Sequence, residues 1–214
     1  YYYYTRTEEG KQYNIYCRKK GSLRADEEVL LDVNELSKGY GYFYLGVFKV
    51  SPNHQLLAYS VDTSGAENYT LYVKNLNSGE LLQDVIPNTY YSVEWANDNM
   101  TLFYDILDEA QRPYKLYRHK LGTDPKDDAL VYHEKDDAYY LELKKSKSKA
   151  YIFMNLGSMV TTEVHYLDAN NPEGDFKLVH PRQHQMEYYI EHHGDAFYIL
   201  TNDNAKNFKL MRAP

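Results

Sequence analysis

A short strand-like segment with an aliphatic residue at its centre returns five times along this chain, and its spacing is the strongest constraint on the fold. Successive central residues are 56, 45, 48 and 46 positions apart, and they are Ile15, Leu71, Leu116, Val164 and Leu210. A period of about 45 residues built from strands and turns is typical of β-propeller blades. The sequence therefore predicts an all-β propeller fold.

Each repeat contains four predicted strands joined by polar turns. Two β-rich runs that flank a short turn precede the central strand, as in Phe48–Val50 and Leu56–Tyr59, and an outer strand such as Glu80–Val85 follows it. Polar turns between β-rich runs are hairpin signals, so each repeat predicts one antiparallel four-stranded sheet. We expect one incomplete propeller domain over 1–214 with almost no helix, divided into repeats at approximately 1–39 (partial), 40–86, 87–133, 134–180 and 181–214 (partial).

The first and last repeats are predicted to be incomplete. Tyr1–Arg6, Tyr13–Arg18 and Glu28–Val33 correspond to the second, third and fourth strands of a blade, and the last repeat lacks its outer strand. The chain therefore resembles a slice of a larger protein, with about four blade-equivalents. Because an open stack leaves blade faces and strand edges without partners, we expect the isolated chain to be marginally stable or to self-associate.

Tyrosine is unusually frequent, with 25 copies among 214 residues. Tyr16, Tyr72 and Tyr117 each follow the central aliphatic residue of their repeat. Since neighbouring residues of a strand point to opposite faces, the aliphatic side chain and the ring lie on different faces of the sheet. Both faces then carry bulky side chains, which indicates sheets covered on both sides, as in stacked blades.

Composition excludes some partners and constrains the compartment. The chain has 24 basic and 31 acidic residues, a net charge of −7, which opposes nucleic acid or an anionic membrane as the main partner. No apolar run approaches the roughly 18 residues of a membrane-spanning helix. The single Cys17 excludes an internal disulfide and favours a reducing compartment. We expect a cytoplasmic location, with the periplasm as the alternative.

The residues carry no recognisable nucleophilic site. The Gly-x-Ser-x-Gly elbow of many serine hydrolases is absent, and Gly157-Ser158 and Gly21-Ser22 are only fragments of it in predicted loops. Cys17 lies in the middle of a predicted strand, where a buried thiol without catalytic function is expected. We therefore predict no catalytic residue in this chain.

Two histidine pairs are candidates for metal ligands. His180 and His184 are four residues apart, but Pro181 between them prevents the regular helix that would place both on one face. His192 and His193 are adjacent in a predicted hairpin turn and would point in different directions. Solvated loop histidines are the favoured interpretation, and we predict no metal site and no cofactor.

Charged clusters are interpreted as solvated turns. The basic run Lys144–Lys149 predicts an exposed hairpin tip, with a docking patch for an acidic partner as the alternative. Asp127-Asp128 and Asp136-Asp137 flank an outer strand and are also expected in solvated turns. Glu94 and Glu142 lie on predicted inner strands and could line a central channel. Paired channel carboxylates are what a propeller glycosidase would require.

Several runs of five or more residues resemble, in the expected order, the N-terminal propeller of oligopeptidase B (protease II), a group within the prolyl oligopeptidase family. The resemblance covers essentially the whole chain. The matching segments are Tyr1–Tyr13, Cys17–Lys20, Glu27–Leu36, Val50–Pro52, Leu57–Asp62, Gly65–Leu71, Trp95–Asp98, Arg112–His119 and Phe197–Asn202.

The resemblance implies a segment of a seven-bladed propeller that caps a C-terminal α/β-hydrolase domain and restricts access to short peptides. Members of this group cut after Arg or Lys with a Ser, Asp and His triad in that C-terminal domain, and none of these 214 residues matches the triad. Glu67, in the Gly-x-Glu-x-Tyr motif, matches a propeller carboxylate that pairs with an arginine of the catalytic domain. The chain itself is then expected to be inactive, as part of a hydrolase whose substrates are short basic peptides.

Two other functions stay open at this point. A stand-alone propeller that serves as a protein-interaction scaffold is the main alternative, although such chains often carry Trp-Asp blade endings, which are absent here. A propeller glycosidase is the other, and it would need inward-facing carboxylates about 5–10 Å apart. A solvated loop glutamate is the corresponding alternative for Glu67.

Overall fold

Alternating apolar and polar residues bounded by turn residues make almost every element of this chain a short strand. The computed structural model describes all 214 residues. Its strands, in chain order, are β1 (Tyr2–Arg6), β2 (Ile15–Lys19), β3 (Glu27–Asp32), β4 (Tyr44–Val50), β5 (Leu56–Asp62), β6 (Tyr69–Asn75), β7 (Leu81–Thr89), β8 (Val93–Trp95), β9 (Thr101–Leu107), β10 (Pro113–Lys120), β11 (Ala129–His133), β12 (Tyr140–Lys145), β13 (Tyr151–Gly157), β14 (Thr162–Asp168), β15 (Lys177–His180), β16 (Tyr188–His193), β17 (Ala196–Thr201) and β18 (Lys209–Ala213).

Helix is confined to two short turns. The helix α1 (Val33–Leu36) follows β3, and Asp32 caps it by accepting a hydrogen bond from the backbone N–H of Asn34 at 2.9 Å. A single 3-10 turn, Pro125–Asp127, precedes β11. The expectation of minimal helix is confirmed. No helix in the structure has the length and apolar character needed to cross a membrane.

The strands form five antiparallel sheets, which are the blades of a propeller. Three sheets have four strands in the orders β4-β5-β6-β7, β8-β9-β10-β11 and β12-β13-β14-β15, and the first and last sheets have three, β1-β2-β3 and β16-β17-β18. This confirms three complete blades flanked by two incomplete ones. We number them blades I to V in chain order. The predicted strand Tyr13–Arg18 begins two residues later than expected, at Ile15.

Each pair of neighbouring blades encloses its own hydrophobic cluster. Blades I and II bury Leu30 and Leu31 against Leu57, and blades II and III bury Leu71 against Trp95. Leu116 of blade III belongs to the cluster shared with blade IV, and Val164 of blade IV to the cluster shared with blade V. A stack with a core at every junction buries both faces of its internal sheets, which is the arrangement that the repeated tyrosines and aliphatic residues predict.

The repeated aliphatic residue faces the following blade in the three complete blades, whereas in blade I the residue that packs against blade II is Tyr16 rather than Ile15. Leu71, Leu116 and Val164 are buried in this way, whereas Leu210 in blade V is 68% exposed because no sheet packs beyond it. Tyr72 lies on the opposite face and packs against the cluster shared with the preceding blade. The same position of the repeat is therefore buried where another blade packs on the sheet and exposed where none does.

A buried charged cluster joins blades II and III. The ring of His119 is fully buried, and its Nε2 lies 2.9 Å from Oδ1 of Asp84 while its Nδ1 lies 2.7 Å from Oδ1 of Asp128. The hydroxyl of Tyr104 donates to Asp128 as well, at 2.9 Å. Burial alone would lower the pKa of His119, but the hydrogen bonds to Asp128 and Asp84 raise it above its ordinary value. The prediction that Asp128 lies in a solvated turn is wrong, because an imidazole from the neighbouring strand covers it.

Candidate functional site

The propeller has two chemically different ends. The first strand of each complete blade is the inner one, and β4 contacts β8, which contacts β12. Exposed tyrosines lie within two residues of the start of the inner strands, and we call this the tyrosine end; they are Tyr44, Tyr91, Tyr140 and Tyr189. Lysines gather where the inner strands end, and we call this the lysine end; they are Lys49, Lys144, Lys145 and Lys149.

Glu67 lies in the turn between β5 and β6, at the tyrosine end. Asp62 holds this turn: its Oδ1 accepts hydrogen bonds from the backbone N–H groups of Ser64 and Gly65, and its Oδ2 accepts one from the N–H of Glu67 at 3.0 Å. These bonds lower the pKa of Asp62, although burial opposes them. Glu67 itself adopts a left-handed backbone conformation, with φ of 56°. A buried carboxylate therefore fixes the position of an exposed one.

The carboxylate of Glu67 is exposed and makes no hydrogen bond or ion pair within the chain. A charge held on a fixed turn without a partner is suited to pair with a cation from another domain, because little conformational entropy remains to be lost on pairing. Sequence reasoning selected Glu67 but missed Asp62, which positions it. The run Asp62-Thr63-Ser64-Gly65 is a recognisable Asx-turn signal, so the residue could have been identified.

Tightly packed aromatic side chains support the Glu67 turn from below. The hydroxyl groups of Tyr69 and Tyr91 are 2.7 Å apart, and burial raises the pKa of Tyr69. Burial also raises the pKa of Tyr90 and of Tyr91, and the nearby negative charge of Glu67 adds to both shifts. Gly46 is required here because a Cβ atom at that position would lie 2.7 Å from the Tyr69 ring. The tyrosine end is therefore a rigid aromatic surface with an acidic group on it.

Alternating charges line the channel near the lysine end. Lys49, Glu94, Lys144 and Glu191 occupy the same register step of the four inner strands β4, β8, β12 and β16. Nζ of Lys49 lies 2.5 Å from Oε1 of Glu94, and Nζ of Lys144 lies 3.3 Å from Oε2 of Glu191. Each ion pair joins two neighbouring blades. We call these four residues the charged ring.

The predicted channel carboxylates do not form a catalytic pair. Glu94 and Glu142 do lie on inner strands, but Glu94 is engaged by Lys49, and the two carboxylates line different cavities. A glycosidase needs one acid and one base on either side of a shared substrate position. The arrangement of these two residues gives no support to that alternative.

The serine and cysteine candidates have structural functions. Oγ of Ser158 accepts a hydrogen bond from the N–H of Thr161 and so closes a turn, and Oγ of Ser22 accepts one from the N–H of Arg24. Cys17 is buried in β2, and burial raises the pKa of its thiol. None of the three lies within hydrogen-bond distance of a histidine, which is the contact that would activate a nucleophile.

The histidines and the basic run depart in part from prediction. His192 is buried rather than solvated, because its Nδ1 lies 2.8 Å from Oγ of Ser148 and its ring packs on Tyr151, whereas His193 is exposed. His180 and His184 are exposed, as expected. In the basic run Lys145 is half-buried and not at a solvated tip. The structure contains no group of three or more His, Cys, Asp or Glu side chains that could hold a metal ion.

Comparison with known sequences covers the whole chain. The profile described as "Prolyl oligopeptidase, N-terminal beta-propeller domain" matches residues 1–214. Protease 2 from Moraxella lacunata is 42% identical over 221 residues that cover 100% of this chain and 32% of that protein. Dipeptidyl aminopeptidase BI from Pseudoxanthomonas mexicana is 38% identical and is covered to the same 32%. The chain therefore spans about a third of the length of these relatives.

Two solved structures with the same fold are oligopeptidases B. Oligopeptidase B from Leishmania major superposes with a TM-score of 0.90 at 33% identity, covering 99% of this chain and 31% of that one. Oligopeptidase B from Trypanosoma brucei, with covalently bound antipain in a closed form, gives a TM-score of 0.88 at 29% identity over 99% of this chain and 30% of that one. The chain thus belongs to the prolyl oligopeptidase family, whose N-terminal β-propeller domain it matches.

Proposed function

We propose that this chain is the non-catalytic propeller segment of a serine oligopeptidase that hydrolyses short peptides after Arg or Lys, and that the propeller controls access of substrate. The observation that carries the proposal is the match of the entire chain to the N-terminal propeller of relatives that are peptidases and about three times as long. The absence of an activated nucleophile among these 214 residues agrees with a catalytic centre located elsewhere. A seven-bladed propeller needs further blades after the five described here.

Two physical properties of the stack support the proposed substrate gating. A hydrophobic cluster fills each junction between neighbouring blades, and ion pairs join blade II to III and blade IV to V, so the propeller would form a stiff wall that excludes folded proteins. A cap of this kind selects substrates by size and excludes water from the reaction once it closes. The net charge of −7 is compatible with attraction of basic peptides.

We further propose that Glu67 pairs with an arginine of the C-terminal α/β-hydrolase domain. Its exposed carboxylate, fixed by Asp62 and supported by packed tyrosines, lies on the tyrosine end without a partner in this chain. The tyrosine end would then face the catalytic domain, and the lysine end would face away from it.

Buried and free Cys17 supports a reducing, cytoplasmic location, with the periplasm as the alternative.

One experiment on the longer protein tests the proposed cleavage specificity and the proposed inactivity of this segment. Amide substrates with Arg, Lys or Pro before the scissile bond are compared, with the 214-residue chain alone as the inactive reference. We expect cleavage after Arg and Lys by the longer protein, abolished by a serine-directed inhibitor, and none by the chain alone. Cleavage confined to Pro, or hydrolysis by the chain alone, would overturn the proposed function.

Glu67→Gln and Glu109→Gln in the longer protein form a matched pair. Both residues are exposed carboxylates in turns between the second and third strands, in blades II and III. Loss of a charge-assisted hydrogen bond to arginine should lower kcat/KM roughly tenfold for Glu67→Gln and leave Glu109→Gln unchanged. Equal values for both variants would refute the arginine pair while leaving the cleavage specificity intact.

In the chain by itself we propose association with a second copy through the exposed face of blade V. Leu200 and Leu210 are exposed there, and β18 has a free edge. Apolar surface of this kind is covered in stable proteins, and unpaired strand edges recruit other strands. Size-exclusion chromatography with light scattering should give a dimer or larger species, which Leu210→Glu should convert to monomer. A monodisperse monomer of the unaltered chain would contradict this.

A further inference from the structure

Four lysine side chains converge on one cavity at the lysine end. The cavity has a volume of about 610 Å³, and its charged lining consists of Lys49, Lys144, Lys145 and Lys149 with Glu94 as the only carboxylate. The chain as a whole carries a net charge of −7, so positive charge is concentrated here against the overall balance. A concave region lined by one sign of charge focuses the electrostatic field and attracts ions of the other sign.

Two of the four lysines are neutralised within the chain. Lys49 and Lys144 belong to the charged ring, where they pair with Glu94 and Glu191. These two pairs fix the width of the channel at this level because each joins two blades. Because Lys49 and Lys144 are already paired with carboxylates, neither is the main anchor for a bound anion.

The other two lysines have no carboxylate partner. Nζ of Lys145 donates a hydrogen bond to the backbone oxygen of Trp95 at 2.7 Å, which leaves two of its three protons free. The ammonium group of Lys149, on the turn after β12, makes no hydrogen bond or ion pair within the chain. Burial lowers the pKa of Lys145 to about 8; the negative charges of Glu94 and Asp98 oppose this shift, and the positive charges of Lys149 and Lys49 add to it. An anion between Lys145 and Lys149 would relieve this repulsion.

We propose that the cavity at the lysine end binds a multivalent oxyanion, a phosphate or carboxylate compound, through Lys145 and Lys149. The indole of Trp95 and the ring of Pro52 provide apolar walls that strengthen the interaction by excluding water. The volume lies within the range of about 300–1,000 Å³ that is usual for small-molecule sites. The proposal is independent of the proposed peptidase function, because it uses neither Glu67 nor the tyrosine end.

Isothermal titration calorimetry of the full chain tests the site with two probes, inorganic pyrophosphate and citrate, at neutral pH and low ionic strength. We expect saturable binding that weakens as salt is added, since surface-accessible charges are screened. Preference for pyrophosphate would identify phosphate compounds as the ligand class, and preference for citrate would identify carboxylates. Absence of saturable heat with both probes would overturn the proposal.

Two double variants that remove the same number of charges separate the contribution of Lys145 and Lys149 from that of net charge. Lys145→Met with Lys149→Met should weaken binding by at least about tenfold, the loss expected for charge-assisted hydrogen bonds. Lys126→Met with Lys135→Met removes two charges outside the cavity and should change binding less than about twofold. Lys149→Glu, on an exposed turn where folding is not at risk, should also weaken binding at least tenfold. Equal effects of both double variants would show only general attraction by net charge.

Discussion

Replacing Leu116 with alanine in the dissociated, dilute chain should lower the free energy of unfolding by about 2–5 kcal/mol, whereas the same replacement at Leu210 should lower it by less than about 0.5 kcal/mol. The two leucines occupy the same position of the repeat, but Leu116 is fully buried between blades III and IV and Leu210 is 68% exposed. Truncation of Leu116 removes packed methyl groups and leaves a cavity. At Leu210 there is little packing to lose.

Denaturant titrations of the two variants beside the unaltered chain measure this difference. The titrations are run at concentrations below which light scattering shows a monomer, because the proposed second copy would otherwise cover Leu210. Similar losses for both variants under these conditions would contradict the exposed position of Leu210 in the single chain. In the longer protein, where we propose that a further blade packs on blade V, the cost of Leu210→Ala should rise toward that of Leu116→Ala. The difference in the cost of Leu210→Ala between the chain and the longer protein therefore shows whether a further blade packs on blade V.

Replacing His119 with leucine should destabilise the chain by about 3–5 kcal/mol near pH 6, because it leaves the carboxylates of Asp84 and Asp128 without their shared cation. Both ring nitrogens of His119 lie within hydrogen-bond distance of a carboxylate, which requires a protonated ring that donates on both sides. The cluster joins blades II and III, so its loss weakens a junction as well as a strand. His184→Leu, at an exposed histidine without a partner, should have little effect and serves as the control.

The destabilisation caused by His119→Leu should become smaller as pH rises, because the pKa of His119 is raised in the folded chain. A histidine whose pKa is higher in the folded than in the unfolded state contributes its full stabilisation below about pH 6.5, the ordinary value for the unfolded chain. That contribution is lost as pH rises through the folded value. The unaltered chain should therefore lose stability on the alkaline side, and the gap to His119→Leu should narrow. Unfolding midpoints across a pH series check this, and a gap that widens with pH would contradict the cluster's charge state.

The strands were predictable because the signals that define them are local. Alternation around Leu71 and Leu116 and the polar turns beside them depend on a few neighbouring residues, and the structure has strands at both positions. Glu67 lies in the turn between two of these strands, and its proposed pairing with an arginine of another domain stays a prediction. The errors concern polar residues whose environment comes from another strand or blade. Asp128 was expected in solvent and is covered by His119, and His192 was expected in solvent and is buried against Tyr151.

Lys145 shows the same limit at the lysine end. A run of basic residues is normally a solvated tip, and nothing near it in sequence predicts that one ammonium group reaches the backbone oxygen of Trp95, fifty residues earlier. The charged ring is a related case: Lys49 and Glu94 are 45 residues apart and meet only because equivalent positions of adjacent inner strands face each other. Periodicity predicts that such positions are equivalent, but not that they touch.

The sequence by itself determined the all-β architecture, the repeat length, the incomplete first and last blades and the family. Each of these depends on local alternation, on turn residues or on motifs in a fixed order. Only the tertiary structure decided which side chains meet between blades: the His119 cluster, the charged ring, the lysine cavity and the exposed position of Leu210. The physical reason is that contacts between repeats depend on the angle and depth at which sheets stack. Many side chains from distant parts of the sequence together set that angle and depth, so no single segment predicts them.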